Sequence, residues 1–166
     1  MKLILLTQGK FAQVDDWNYD WLMQWKWFAL KCKNSFYAGR MGKPNEITKK
    51  RKIVLMHRII MNTPNDQIVD HKDWNGLNCQ EHNMRNCTHS QNHANKKKEN
   101  KSSSKHKGVT WDKNKGKWAA AIKTKGIRKH LGYFDSENRA ALAYNQAAKE
   151  LFGEFVVLNK VLRKVK

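Results

Sequence analysis

IVDHKDWNGLNCQEHNMRNCTHSQNHAN, residues 68–95, carries an Asp-His pair, an Asn-Met-Arg triplet and a Gln-Asn step in one short span. That order suits metal-assisted phosphodiester hydrolysis. A phosphodiester resists water because the attacked phosphate is anionic and its leaving oxygen is poor. Its hydrolysis needs a base for water, positive charge for the developing anion and a fixed line of attack. An imidazole with an ordinary pKa of about 6.5 is a natural base near neutral pH, which His71 can supply. The Asp70 carboxylate and the Asn92 amide are hard oxygen donors of the kind Mg²⁺ or Mn²⁺ prefers. Asn83 lies between them with an amide able to steer the imidazole.

The surrounding composition agrees with a polyanionic partner. The chain has 166 residues and a formal net charge of +19. Such an excess repels itself in a compact state unless a polyanion offsets it, which favours nucleic acid. A membrane surface is the second choice, but no basic amphipathic helix is evident and the lysines are spread over strands, turns and linkers. With 40% hydrophobic residues and seven Trp, the chain has apolar material for small cores and is not a disordered basic tail. No apolar run reaches the length of a membrane span, and Leu3 to Leu6 is too short for a signal peptide. Cys32, Cys79 and Cys87 form no C-x-x-C pair and read as reduced thiols. The expectation is a cytoplasmic protein of a bacterial or phage-infected cell, not a secreted one.

Outward from the central stretch, the N-terminal side alternates as short strands do. Leu3–Leu6 and Phe11–Val14 flank a turn at Gly9, which predicts a hairpin. Asp15 or Asp16 is placed to cap a short helix with Trp17, Trp21, Leu22 and Trp25 at helical spacing, a small Trp-rich core. Trp25–Ala29 and Ser35–Ala38 read as a strand pair, and Gly42–Lys52 as a solvated polar loop able to touch phosphate. A strand at Ile53–Met56 and one or two helical turns at His57–Met61 follow. On the other side, 95–107 is rich in Lys, Ser and Asn without periodicity, and reads as a basic linker. Three strands are expected at Gly108–Asp112, Lys117–Lys123 and Ile127–Phe134, separated by tight turns. A helix from Asp135 or Ser136 to Gly153 has an apolar stripe at Ala140, Tyr144, Ala147, Ala148 and Leu151.

The ordered set Asp70, His71, Asn83 and Asn92 resembles the HNH (ββα-metal) nuclease motif in its His-Asn-Asn form. Val69-Asp70-His71, Asn75-Gly76-Leu77-Asn78, Asn83-Met84-Arg85, Cys87-Thr88 and Ser90-Gln91-Asn92 carry the likeness. The N-terminal phrases Leu6–Ala12 and Trp25-Lys26-Trp27 resemble the leader of phage-type homing endonucleases of this group. The resemblance implies a strand-turn-strand and helix around one divalent ion, Mg²⁺ or Mn²⁺. It makes His71 the general base, Asp70 and Asn92 the metal ligands, and Asn83 the residue that holds the loop and orients His71. The products would carry 5′-phosphate and 3′-hydroxyl ends. His57 and Arg58 are read as structural or phosphate-contacting. Zinc is disfavoured, because Cys79, His82, Cys87, His89 and His93 lack the short-spaced Cys pairs that structural zinc uses.

Residues from about Ser104 to Asn159 resemble an AP2/ERF DNA-binding domain, through His106-Lys107-Gly108-Val109, Gly116–Ala120, His130–Phe134 and Ala140–Ala148 ahead of Phe152-Gly153. The resemblance implies a three-stranded antiparallel sheet laid on duplex DNA and backed by one helix. Lys107, Thr110, Trp111, Lys115, Lys123, Arg128 and His130 become candidate DNA contacts, with more phosphate anchoring than base reading because Lys is a point charge. Period two puts Trp118, Ala120 and Ile122 toward the helix, and Lys117, Ala119, Ala121 and Lys123 toward DNA.

The expectation is therefore an α+β chain in three parts. A small β-rich nuclease module spans 1–96, with its ββα-metal core at about 53–95. A basic linker at 97–105 leads to an AP2-like domain at 106–160. Its partner is double-stranded DNA, with no membrane and no small-molecule cofactor. The rival expectations are a DNA-binding regulator without activity and an RNA-binding basic protein.

Overall fold

The computed structural model describes residues 1–33, 35–96, 98 and 103–161. The fold is α+β, built from small antiparallel sheets and four short-to-medium helices among the described residues. Two compact units divide it, Met1–Thr88 and His89–Lys166.

The first unit opens with the expected hairpin, β1 (Lys2–Leu5) and β2 (Phe11–Val14). Alternation sends Ile4, Leu6, Ala12 and Val14 inward and leaves Leu3, Leu5 and Phe11 on the solvent side. Helix α1 (Asp16–Leu22) follows. Asp15 precedes it but makes no side-chain cap; its carboxylate instead accepts from the Glu81 backbone N–H at 2.7 Å. Trp21, Trp25 and Trp27 pack against the core in successive edge-to-face pairs, and the Trp27 indole donates to the Leu22 carbonyl. Trp17 differs from expectation: it is 69% exposed and donates to Glu81.

A three-stranded sheet, β3 (Phe28–Cys32), β4 (Ser35–Pro44) and β5 (Arg51–Leu55), comes next, in the order β3-β4-β5. The segment 42–52, read as a loop, has its two ends in strands, 42–44 in β4 and 51–52 in β5. Only its central residues turn, because Asn45 closes them with its own side chain. Helix α2 (Met56–Ile60) buries Met56 and His57. Strands β6 (Ile68–His71) and β7 (Met84–Cys87) pair antiparallel, joined by a loop that ends in one 3₁₀ turn, Glu81–Asn83.

The second unit begins with α3 (His89–Asn95). The sheet β8 (Val109–Asp112), β9 (Lys117–Thr124) and β10 (Ile127–Phe134) matches the expected segments, with β9 central. Helix α4 (Glu137–Phe152) lies on it through Ala140, Ala141, Tyr144, Ala148 and Phe152. Leu151, assigned to the inner stripe from its spacing, is 47% exposed, and Phe152 is buried in its place. Gly108 (φ +74°) explains the close fit: a Cβ there would fall 2.1 Å from the Tyr144 ring.

Of the span expected as a linker, residues 97 and 99–102 lie outside the described residues. The remainder is folded onto the second unit. Ser104 and His106 are buried, Ser104 Oγ donates to Glu137 at 2.7 Å, and Trp111 N donates to Ser103 Oγ.

Candidate functional site

Asp70 and His71 are the last two residues of β6. Alternation would turn one of them to solvent in a two-sided strand, yet both are buried. Asp70 faces Arg85 directly across the β6–β7 ladder, and the guanidinium grips one carboxylate oxygen with Nε and Nη2, both at 2.9 Å. The side chains are 4% and 13% exposed, so this is a buried pair with charge-assisted hydrogen bonds.

His71 sits in an aromatic corner. Its ring lies 5.2 Å from that of His57, at right angles, and 5.9 Å from that of Tyr37. Tyr37 on β4 also contacts His57 at 5.2 Å. Burial lowers the His71 pKa, while the Asp73 and Asp70 carboxylates push the other way. His71 is therefore a neutral imidazole at working pH, with two anions near enough to stabilise the cation it becomes on taking a proton. His57 is driven down to about 3, first by burial and then by His71 and Arg58, and stays neutral. Arg58 is structural: it donates to the carbonyls of Thr63, Pro64 and Gln67 and closes the turn before β6.

Asn83 ties the loop between β6 and β7. Its Oδ1 accepts from Asp73 N at 3.1 Å, and its Nδ2 donates to Asp73 Oδ1 and to the Asn78 carbonyl, both at 3.0 Å. Asp73 also takes Asn75 N and Asn78 Nδ2, each at 2.8 Å. These hydrogen bonds hold the Asp73 carboxyl below its ordinary value against the opposing effect of burial, the largest single influence. Gly76 lets the loop settle on β4, since a Cβ there would lie 2.5 Å from both the Phe36 carbonyl and the Tyr37 ring. The leader holds the same loop from behind: Gln13 N donates to Leu77 O, and Cys79 N to Gln13 O.

Asn92 lies on α3, within the second unit. Among the described residues no three His, Cys, Asp or Glu side chains converge.

Strand register places Thr110, Lys123, Arg128 and His130 on one face of the second sheet, with Thr110 opposite Ala119, Arg128 opposite Lys123 and His130 opposite Ala121. Lys115, in the β8–β9 turn, sits with its ammonium 4.3 Å from the centroid of the Tyr133 ring on the same side. Trp111 pairs with Trp118 and packs on it at 5.1 Å, and so shares the opposite face, which the helix backs. Lys107 is half-buried and turned inward. Its ammonium donates to the carbonyls of His93, Ala94 and Lys96 at the end of α3, and burial with nearby Lys96 lowers its pKa to about 8.

Sequence reasoning missed Tyr37, Asp73 and Arg85. Asp73 had a local signal, an Asp two residues before Asn in turn chemistry. Arg85 could have been found by pairing β6 with β7. Tyr37 comes from a distant strand and left no local mark.

A buried Asp-His pair on a β-hairpin, an asparagine-locked loop and a separate three-stranded sheet backed by one helix together define an HNH endonuclease with an AP2 domain, and the chain belongs to the HNH endonuclease family. It is 32% identical over 167 residues to a protein of Acanthamoeba polyphaga mimivirus named as an uncharacterized HNH endonuclease, covering 95% of this chain and 80% of the relative. The AP2 domain family matches residues 104–154. Over 59 residues the chain is 46% identical to dehydration-responsive element-binding protein 2D of Arabidopsis thaliana, covering 32% of this chain and 27% of that protein. No solved structure matches the chain.

Proposed function

We propose that the protein is a metal-dependent, homing-type endonuclease that hydrolyses phosphodiester bonds in double-stranded DNA. The observation that carries this reading is the buried Asp70-His71 pair at the end of β6, beside a loop locked by Asn83. His71 takes the proton from attacking water. Asp73 and Asp70 offset the imidazolium that results, so the proton transfer does not build an uncompensated charge in a buried corner. Asn83 acts through the loop, keeping Asp73 in place beside His71. Asp70, and Asn92 by its position in the sequence motif, would hold one Mg²⁺ or Mn²⁺. That ion would supply positive charge to the phosphate and the leaving oxygen.

The second sheet would position the enzyme. Thr110, Lys115, Lys123, Arg128 and His130 supply its DNA-facing groups, mostly as phosphate anchors. Lys107 serves α3 rather than DNA, and Trp111 supports the sheet from its other side.

A catalytically silent DNA-binding regulator is the second reading. The Asp70–Arg85 pair speaks for it, because a carboxylate already held by a guanidinium offers a cation less charge. One assay separates the two. Plasmid DNA incubated with the full chain should be nicked or cut with Mg²⁺ or Mn²⁺ and protected by EDTA. His71→Ala should abolish cutting and leave plasmid retardation unchanged. Plasmid left intact across all metals and target sequences, but still retarded, favours the regulator.

A further inference from the structure

β3 pairs with β4 only as far as the Phe28–Gly39 partners. From Arg40 onward β4 has β5 alone, so the sheet continues as a two-stranded ribbon. The ribbon is rooted firmly: the Arg40 guanidinium lies 4.3 Å from the Trp25 ring centroid and 5.8 Å from that of Trp27. Its tip is ordered by its own hydrogen bonds. Asn45 Oδ1 accepts from Ile47 N, Thr48 N and Thr48 Oγ1 at 2.8–3.1 Å, and Asn45 N donates to Lys50 O at 2.8 Å.

This well-formed tip presents Ile47, which is 90% exposed. At that exposure an isoleucine buries almost no apolar surface, so folding gains little from it. Met41 and Ile53, paired across the ribbon, are also about half exposed. Lys43, Lys49, Lys50, Arg51 and Lys52 surround the tip, all exposed, against a single carboxylate, Glu46. An apolar point on a stiff hairpin, ringed by cations, is complementary to a duplex. Its phosphates offer charge along both groove edges, and a base step can open to admit an inserted aliphatic side chain.

We propose that the β4–β5 ribbon is a DNA-engaging arm, whose cations grip backbone phosphates while Ile47 enters the minor groove as a wedge and partly unstacks a base step. This rests on the reading of the protein as DNA-binding, and adds to it a contact made by the nuclease unit itself. A wedge that unstacks a step also unwinds the duplex, which plasmid topology records without knowledge of a target sequence.

The experiment relaxes a closed plasmid with a metal-independent topoisomerase, in EDTA, bound by the full chain carrying His71→Ala. The Ile47 form should leave the plasmid underwound after protein removal. Ile47→Ser should lose more than half of that linking shift while retarding the plasmid equally. Replacing Lys49, Lys50, Arg51 and Lys52 by Ala should weaken retardation and reduce its log–log salt slope by about 0.9 for each phosphate no longer neutralised. An unchanged linking shift in Ile47→Ser overturns the arm and leaves the nuclease reading intact. A full chain that never retards the plasmid overturns both. Sedimentation with phosphatidylserine vesicles that depends on Ile47, with plasmid behaviour indifferent to it, overturns the arm in favour of a lipid surface.

Discussion

Arg85 and His57 show how closely the corner around His71 is tied to the stability of the first unit. Removing the guanidinium in Arg85→Met takes from the buried Asp70 carboxylate the cation that grips it. Breaking a buried pair from one side costs about 3–5 kcal/mol, so a lowered melting midpoint is expected by calorimetry. The double variant with Asp70→Asn should recover much of that loss, and failure to recover it would show that Arg85 acts through other partners. His57 carries a pH dependence whose sign is fixed by its depressed value. The unfolded chain protonates this imidazole near its ordinary 6.5 and the folded chain only at about 3. Stability contributed by neutral His57 is full above about pH 6.5 and falls as the pH drops toward 3, by at most about 1.4 kcal/mol per unit. Urea midpoints measured between pH 7 and 4 should fall less steeply for His57→Phe than for the parent chain.

At the scale of elements, α3 has the most surprising allegiance. Its seven residues are too few to persist alone. Ala94 enters the core formed by Ile122, Tyr144, Ala148 and Phe152, Val157 N donates to the Ala94 carbonyl, and Ser90 Oγ takes Lys125 N. Lys107 then satisfies the carbonyls that a helix leaves open at its end, the place where a cation is favoured. Lys107→Met should free those carbonyls at a cost of about 1–2 kcal/mol, read as roughly tenfold faster amide exchange across 89–96. Equal exchange would show that the apolar packing alone holds the helix. Sequence patterning located all three strands of the second sheet, because their periods and turn residues are local, while this helix came with the HNH resemblance. The expected module at 1–96 kept this segment with the nuclease core, whereas it groups with the second unit, because Ala94 meets residues far along the chain. The same limit hid the ribbon: 42–52 is polar because both its faces meet solvent, and polarity without alternation reads as loop. The Asp-His-Asn order was legible in the chain, but the Tyr37–His57–His71 corner required the packing of β4 against α2 and β6.

For the whole molecule, the governing quantity is charge. Lys and Arg number 33 against 14 Asp and Glu, and few of them are spent on ion pairs among the described residues. Binding that uses even six phosphates should weaken about 10³-fold between 50 and 200 mM salt. Deleting the chain from Lys101 onward should lower affinity and flatten that dependence; unaltered affinity in filter binding would show that the AP2 domain is not the anchor. Among the described residues no helix is long and apolar enough to cross a membrane.

The allegiance of α3 also bears on retargeting. A designer who exchanges this reader for another would be tempted to splice at Ser104, where the AP2 match starts. That junction strands Ala94 without its hydrophobic partners and strips Lys107 from the carbonyls it serves, so the segment bearing Asn92 loses its support. Retargeting by changing Thr110, Lys123, Arg128 and His130 on the sheet in place leaves Asn92, Ala94 and Lys107 with every one of those attachments.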